Sequence, residues 1–218
     1  MKILVLAGDF WHPMELVKRG ITKMGFDPDE YEFDFVEDAK DIVTKDLINE
    51  QDLIVFAKGN VLSSFNNDPM FKEGNGAPSI ADYREFVENG GGLISVHAGN
   101  TGHMDRNPEW CEFVGNSFQG HPRRCDVEVY PVKEHFITEG VKPFTEMDEH
   151  YMLGDVPEDA EIIIESRSEA GGVQPAGFIR NIGKGKLFVL TPGHTMYVWG
   201  DKEFVKIFKN AVEFCARR

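Results

Sequence analysis

A short apolar run bounded by glycines, near the middle of the chain, constrains the fold most strongly. Residues 92–96 read Gly-Leu-Ile-Ser-Val and are followed by His97-Ala98-Gly99. Residues 80–89 before the run have the spacing of a helix, which Ser79 can cap at its start. An apolar run of this length after a helix is typical of a buried parallel strand. His97 is therefore predicted at the carboxyl end of that strand, where open α/β sheets bind their ligands.

Other segments repeat this alternation of strand and helix. Residues 2–7 and 52–57 are apolar runs of strand length, and residues 13–24 carry apolar side chains at helical spacing. Residues 176–181 and 186–190 form a predicted hairpin through a Gly-Lys-Gly turn, and residues 203–216 form an amphipathic closing helix. We therefore expect one α/β domain, residues 1–218, with a mainly parallel central sheet flanked by helices.

Charge and cysteine content narrow the class of protein. The net charge of −14 disfavours nucleic acid and anionic membranes as partners, so a small-molecule role is expected. The 3 cysteines are unevenly spaced, which predicts no disulfide framework and a reducing compartment. The first apolar run is too short for a signal sequence or a membrane span. These observations predict a cytoplasmic protein, while a homo-oligomer stays open.

Histidines in glycine-flanked loops or at strand ends are the main candidates for a site. Three of them, His97, His121 and His194, have this setting, and His12 is a weaker fourth in the loop after the first strand. His103 and His135 lack such a setting. The remaining candidates are carboxylates and aromatic residues near the same sheet edge, namely Asp9, Trp11, Glu149 and Tyr151.

Two chemistries fit these residues, and the sequence leaves both open. Imidazoles with a carboxylate are ligands for zinc and similar divalent ions, which would assign His97, His121 and His194 to a metal. The same residues could instead perform acid-base catalysis, with a histidine moving a proton and Glu149 beside it. The sequence contains no HExxH motif that would decide between them.

Several motifs, taken in order along the chain, resemble the ThuA-like (trehalose utilization) family. They are Gly91-Gly92-Leu93-Ile94-Ser95-Val96-His97-Ala98, Phe118-Gln119-Gly120-His121-Pro122, Glu134-His135-Phe136-Ile137, Asp148-Glu149-His150-Tyr151, Gly183-Lys184-Gly185-Lys186 and Gly193-His194. The resemblance covers nearly the whole chain. It implies the class I glutamine amidotransferase-like fold, a three-layer, flavodoxin-like arrangement with a mainly parallel sheet. The family's usual His-Pro-Ile is here His135-Phe136-Ile137, so His135 receives no role.

The resemblance also shows what the chain lacks. True amidotransferases carry a nucleophilic cysteine at a strand-to-helix elbow, where this sequence has His97 within Ser95-Val96-His97-Ala98-Gly99. An imidazole cannot form the thioester that glutamine hydrolysis needs, so glutaminase activity is not expected. No nucleotide cofactor is expected either.

The family's association with disaccharide catabolism implies a substrate class. ThuA-like proteins are linked to keto-sugar intermediates made by a partner dehydrogenase, which implies a lyase, isomerase or hydrolase acting on a keto-sugar or glycoside. The catalytic candidates are His97, His194 and Glu149; the candidate substrate contacts are Asp9, Trp11, His12, His121 and Tyr151. The alternative is a non-catalytic sugar-binding or interaction module. Loops 59–78 and 100–107 are expected to shape the pocket.

Overall fold

The computed structural model describes residues 1–37, 42–59 and 78–216. The strands are β1 (Lys2–Ala7), β2 (Glu32–Val36), β3 (Leu53–Ala57), β4 (Gly92–Val96), β5 (Ser117–Gly120), β6 (Cys125–Pro131), β7 (Phe144–Asp148), β8 (Met152–Gly154), β9 (Glu161–Ser168), β10 (Gly172–Ile182) and β11 (Gly185–Leu190). The helices are α1 (Met14–Lys23), α2 (Lys45–Asn49), α3 (Ile80–Glu88), α4 (Pro108–Val114), α5 (Met196–Gly200) and α6 (Lys202–Cys215). Short 3-10 turns cover His97–Asn100 and Phe136–Thr138.

A nine-stranded mixed sheet forms the centre of the molecule. Its strand order is β2-β1-β3-β4-β11-β10-β9-β6-β7. The five strands from β2 to β11 are parallel, whereas β10, β9, β6 and β7 continue the sheet in antiparallel pairs. Strands β5 and β8 form a separate two-stranded sheet. The predicted α/β fold is confirmed, as is the predicted hairpin, which is β10 and β11.

Helices cover both faces of the parallel strands, which produces three layers. On one face, Val17 and Ile21 of α1 and Phe204 and Phe208 of α6 pack with alternate strand residues such as Val5. On the other face, helices α2, α3 and α4 pack against the intervening strand residues, for example Leu4, Ile54 and Phe56. Burial on both faces explains why these strands are continuously apolar. Each fully buried large aliphatic side chain contributes roughly 1.5–3 kcal/mol to stability.

The predicted boundaries of the helices agree closely with the structure. Ser79 caps α3 with a capping box, because its hydroxyl accepts from the Asp82 backbone and the Asp82 carboxylate accepts from Ser79. Helix α4 begins at Pro108, directly after the 100–107 loop. Most of the predicted 59–78 loop lies outside the described residues. Within the described residues, none of the helices is long and apolar enough to cross a membrane.

His135 does not line the cleft described below, and its contacts are structural. Its Nδ1 accepts a hydrogen bond from the Ile137 backbone at 3.0 Å, and its ring packs edge-on against Phe214 of α6 at 4.6 Å between centroids. Burial lowers the pKa of His135 from its ordinary 6.5, and nearby Lys133 adds to that effect although Glu161 opposes it. The neutral ring therefore serves as a cap for the short turn that follows.

This cap predicts an acid-sensitive contribution to stability. Because the pKa of His135 is lower in the folded chain than in the unfolded chain, the unfolded chain binds more protons below its pKa of 6.5. The contribution is complete above that pH and is lost as the pH falls from 6.5 towards the lower folded pKa. We expect His135→Asn, which keeps an accepting atom but does not titrate there, to lose less thermal stability between pH 7.5 and pH 5.5 than the parent, as measured by circular dichroism. His103→Asn is the control and should keep the parent's acid sensitivity; an unchanged pH dependence in His135→Asn would contradict this role.

Candidate functional site

The site forms where the parallel strands end. The chain leaves β1 at Asp9 and His12, leaves β4 at His97, and leaves β11 at His194, while Glu149 comes from the link between β7 and β8. Ligand-capable atoms of His12, His97, Glu149 and His194 all lie within 4.8 Å of one another. We call these four residues the histidine-glutamate cluster. The carboxyl ends of neighbouring parallel strands meet at one edge, which is why loops distant in sequence converge here.

His97 lies in a sharp turn directly after β4. Its φ of 41° is in the left-handed region, which few residues with a Cβ adopt. The turn also needs Gly99, where a Cβ would lie 2.3 Å from the Phe56 carbonyl oxygen. The ring Nδ1 lies 2.8 Å from the Thr191 carbonyl oxygen. Because a carbonyl can only accept, Nδ1 carries the proton and Nε2 presents its lone pair to the cluster.

His12 is oriented by the buried carboxylate of Asp9. Asp9 Oδ1 lies 2.9 Å from His12 Nδ1 and also accepts from the Trp11 backbone at 2.8 Å, while Oδ2 accepts from Gly59 N at 2.8 Å. Burial alone would raise the pKa of Asp9, but the hydrogen bond and charge of His12 outweigh burial and lower it. The ionised carboxylate thus holds the proton on Nδ1, leaving His12 Nε2 to face the cluster.

Asp148, at the end of β7, supports the turn that carries His194. Its two oxygens accept separately from the backbone N–H of Gly193 at 2.8 Å and of His194 at 2.9 Å. Trp199 fixes the same turn by donating its indole N–H to the Gly193 carbonyl at 2.8 Å. Burial raises the pKa of Asp148, although the charge of His97 and these backbone donors oppose that effect. These bonds join the ends of β7 and β11, which are separated by three strands in the sheet.

Glu149 connects the cluster to the open cleft. Its Oε2 lies 3.2 Å from His194 Nδ1 and 3.6 Å from His97 Nε2, and the two imidazole nitrogens are 3.3 Å apart. Burial would raise the pKa of Glu149, but its interactions with His97, His194 and His121 outweigh burial and lower that pKa. Burial is the main cause that lowers the pKa of His194, to about 4, and the electrostatic effect of nearby His97 is the second cause. At neutral pH the cluster therefore presents an ionised carboxylate and a neutral His194.

Tyr151 forms the floor of the cleft beside these groups. Its buried ring stacks on His97 with centroids 4.1 Å apart, and its hydroxyl lies 3.4 Å from His12 Nε2. Burial, together with the charges of Glu149 and Asp148, raises the pKa of Tyr151 well above 10. The phenol therefore stays protonated and can donate a hydrogen bond into the cleft.

A cleft of about 750 Å³ opens above the cluster. Seven of the eight predicted site residues line it, while His97 lies in its floor region behind Tyr151. The sequence did not single out the other lining residues, which are Thr101, His103, Arg106, Asn107, Phe118 and Arg124. Four of these belong to the 100–107 loop, which was expected to shape the pocket. Phe118 and Arg124 flank the predicted His121 in the sequence. The aromatic ring of Phe118 and the charge of Arg124 were the sequence features that could have marked them as site residues.

The structure arranges the predicted metal ligands differently from the trio His97, His121 and His194. His121 Nε2 lies 3.6 Å from Glu149 Oε2, but its ring is outside the compact cluster, which contains His12 instead. His121 Nδ1 lies 2.7 Å from the Pro122 carbonyl oxygen, which assigns the proton to Nδ1 and directs Nε2 towards Glu149. Trp11 lies at the rim of the cleft, where it is 68% exposed.

The role of Asp148 can be tested by replacing one acceptor oxygen. Asp148→Asn leaves a single oxygen for two backbone donors, so one buried N–H loses its partner, at a cost of about 1–3 kcal/mol. We expect the free energy of unfolding in urea to fall by that amount and the His194 ring to move. Asp126→Asn on the exposed side of β6 is the matched control and should change stability by less than about 0.5 kcal/mol. Parent-like stability in Asp148→Asn would argue against the clamp.

Comparisons with known proteins agree with this architecture. The family model ThuA, described as trehalose utilisation, matches residues 2–215. A ThuA-like protein from Bacteroides uniformis ATCC 8492 aligns over 97% of this chain and 89% of its own, with a TM-score of 0.76 and 18% identity. A cytoplasmic protein from Salmonella typhimurium aligns over 100% of both chains, with a TM-score of 0.72 and 15% identity.

The same fold also occurs inside a larger enzyme. A cold-adapted β-galactosidase from Rahnella sp. R3 aligns over 98% of this chain but only 31% of its own, with a TM-score of 0.66 and 12% identity. At such identities the structural likeness establishes the fold alone. A search of curated protein sequences finds no match.

Proposed function

Because the chain belongs to the ThuA family, described as trehalose utilisation, we propose that it is an enzyme of sugar catabolism acting on a keto-sugar or glycoside. In this proposal the histidine-glutamate cluster holds a divalent cation such as zinc at the base of the cleft. The observation that carries the proposal is the approach of three imidazoles and one carboxylate to within 4.8 Å of one another. The reaction class would be that of a lyase, isomerase or hydrolase.

The donor set fits such a cation. Three nitrogens and a carboxylate oxygen match the preference of zinc and similar ions. The outer nitrogens of His12 and His97 are hydrogen-bonded to Asp9 and to the Thr191 carbonyl, so each inner nitrogen carries a lone pair. His194 directs Nδ1 at the same point and would release any proton from that atom on binding a cation.

A bound cation would polarise the carbonyl oxygen of a keto-sugar as a Lewis acid. Around it, this chain's own side chains would bind and orient the substrate. Tyr151 keeps its phenol protonated and can donate a hydrogen bond to a sugar oxygen. On the open side of the cleft, His121 Nε2 lies 3.6 Å from Glu149 Oε2. Trp11 offers an exposed ring on which a pyranose can stack. Asp9 supports His12 without entering the reaction.

Glutamine hydrolysis is not part of this proposal. His97 stands at the elbow after β4, where hydrolysis through a thioester would need a thiolate. Among the described residues that line the cleft, none is a cysteine. Burial raises the pKa of Cys111 to about 11, which keeps that thiol unreactive.

Elemental mass spectrometry of untagged protein, purified without chelators, tests the cluster directly. We expect close to one zinc, manganese or similar ion per chain, and its loss in both His97→Ala and His194→Ala. His103→Ala is the matched control, because His103 lines the same cleft outside the cluster. Turnover of a 3-keto-glycoside, followed by NMR, should disappear with the ion. Full turnover by metal-free protein would favour acid-base catalysis by the same residues, and saturable sugar binding without turnover would favour a binding module.

The supporting role of Asp9 gives a graded prediction. Asp9→Asn removes the charge that holds the proton on His12 Nδ1, and loss of such an outer partner lowers metal affinity about 10–100-fold. The affinity can be measured by competition with a chromogenic chelator. Asp52→Asn is the control, because Asp52 accepts from the Lys2 backbone at the opposite edge of the sheet. Equal metal affinity in Asp9→Asn and the parent would remove His12 from the proposed ligand set.

A further inference from the structure

The outer part of the cleft carries two arginine side chains although the whole protein is strongly acidic. The net charge of the chain is −14, yet two arginines, Arg106 and Arg124, line the cleft. The two carboxylates in the lining are already engaged, since Asp9 is paired with His12 and Glu149 faces the histidines. The open side of the cleft is therefore lined by two guanidinium groups, of which Arg124 shares Glu149 with the histidines and Arg106 approaches Asp105.

Arg124 lies at the boundary between the cluster and the open cleft. Its Nε is 3.6 Å from Glu149 Oε1, while the other oxygen of Glu149 faces His194. The Arg124 side chain is 57% exposed, and within residues 1–37, 42–59 and 78–216 its guanidinium makes no hydrogen bond. Arg106 is 71% exposed and approaches Asp105 only to 3.9 Å. The two guanidinium groups carry ten N–H donors between them, and most of these donors are thus available to a ligand.

We propose that Arg124, together with Arg106, forms an anion-recognition subsite, and that the natural substrate is a sugar derivative carrying a carboxylate or a phosphate. The inference rests on the proposed function, which assigns the sugar's reacting end to the cluster. Guanidinium groups bind both anions through paired hydrogen bonds. In a protein this acidic, exposed guanidinium groups in the cleft are needed to hold an anion that the rest of the surface repels.

The dimensions of the cleft agree with such a ligand. A cavity of about 750 Å³ exceeds what one sugar ring requires and leaves room for a charged substituent beside it. Trp11 at the rim can stack on the ring, while Arg124 reaches the substituent next to the cluster. A neutral sugar offers the two guanidinium groups only hydroxyl and ring oxygens, which accept weaker hydrogen bonds than a carboxylate or a phosphate does.

A matched pair of ligands tests the subsite without relying on turnover. Methyl β-D-glucuronide and methyl β-D-glucoside differ only in a carboxylate at C6, and the 6-phosphate of the glucoside separates the two anion sources. In isothermal titration calorimetry of the purified protein, we expect the preferred anion to bind about tenfold more tightly than the neutral glucoside. One charge-assisted hydrogen bond accounts for a difference in affinity of about that size. Arg124→Gln should reduce that preference to less than about twofold, with Arg106→Gln intermediate.

Arg123→Gln is the control, because Arg123 is the exposed neighbour of Arg124 and lies outside the cleft lining. It should keep the full preference. Equal affinity for charged and neutral ligands, no binding of either anion, or a preference that survives in Arg124→Gln would overturn the subsite. Loss of the bound metal together with the preference in Arg124→Gln would also overturn it, since Arg124 would then act by holding Glu149.

Metal content measured on the same samples separates this inference from the proposed function. A full metal complement without any charge preference contradicts the subsite and leaves the metal-centred function standing. A charge preference that depends on Arg124 in protein without metal supports the subsite and contradicts the metal-centred function.

Discussion

Burial of the central parallel strands on both faces is the constraint on which the rest of the structure depends. Strands β1, β3, β4 and β11 are covered by α1 and α6 on one side and by α2, α3 and α4 on the other. A polar side chain along such strands needs a buried hydrogen-bond partner, as Ser95 of β4 has in Asn100. The chemistry is therefore confined to the loops at their ends, and the parallel direction brings those loops to one edge.

Buried hydrogen-bonding groups behind the cluster orient the residues of the site. Asp9, the Thr191 carbonyl and Asp148 are hydrogen-bonded to the outer side of His12, His97 and the His194 turn, respectively. Each bond fixes a proton position or a backbone direction, which leaves nitrogen lone pairs pointing inwards. Burial keeps His194 neutral at physiological pH, and its pKa near 4 follows from that environment. The ability of these histidines to bind a ligand thus depends on the buried hydrogen bonds that orient them.

The strained turn at His97 links the fold to the site. A φ of 41° is costly for a residue with a Cβ, and the surrounding contacts allow little choice, because Gly99 and Gly193 are each packed closely against neighbouring atoms. Within the described residues, the polar network beneath the turn includes the Ser95 hydroxyl donating to Asn100 at 2.7 Å. That support holds the His97 ring between Tyr151 and the cluster.

The sequence by itself determined the order of β1, β3, β4, β10 and β11 and of helices α1, α3 and α6, the position of His97 and His194 at strand ends, and the candidacy of Asp9, His12 and Glu149. These are local signals: apolar runs, helical spacing, caps and glycines. Only the tertiary structure decided that His12 joins the compact cluster while His121 stays outside it, and that Arg124 and the 100–107 loop line the cleft. The physical reason is that side-chain direction at the sheet edge is set by contacts between distant segments. The Asp148 carboxylate joins β7 to β11 across three intervening strands, and no local pattern specifies that pairing.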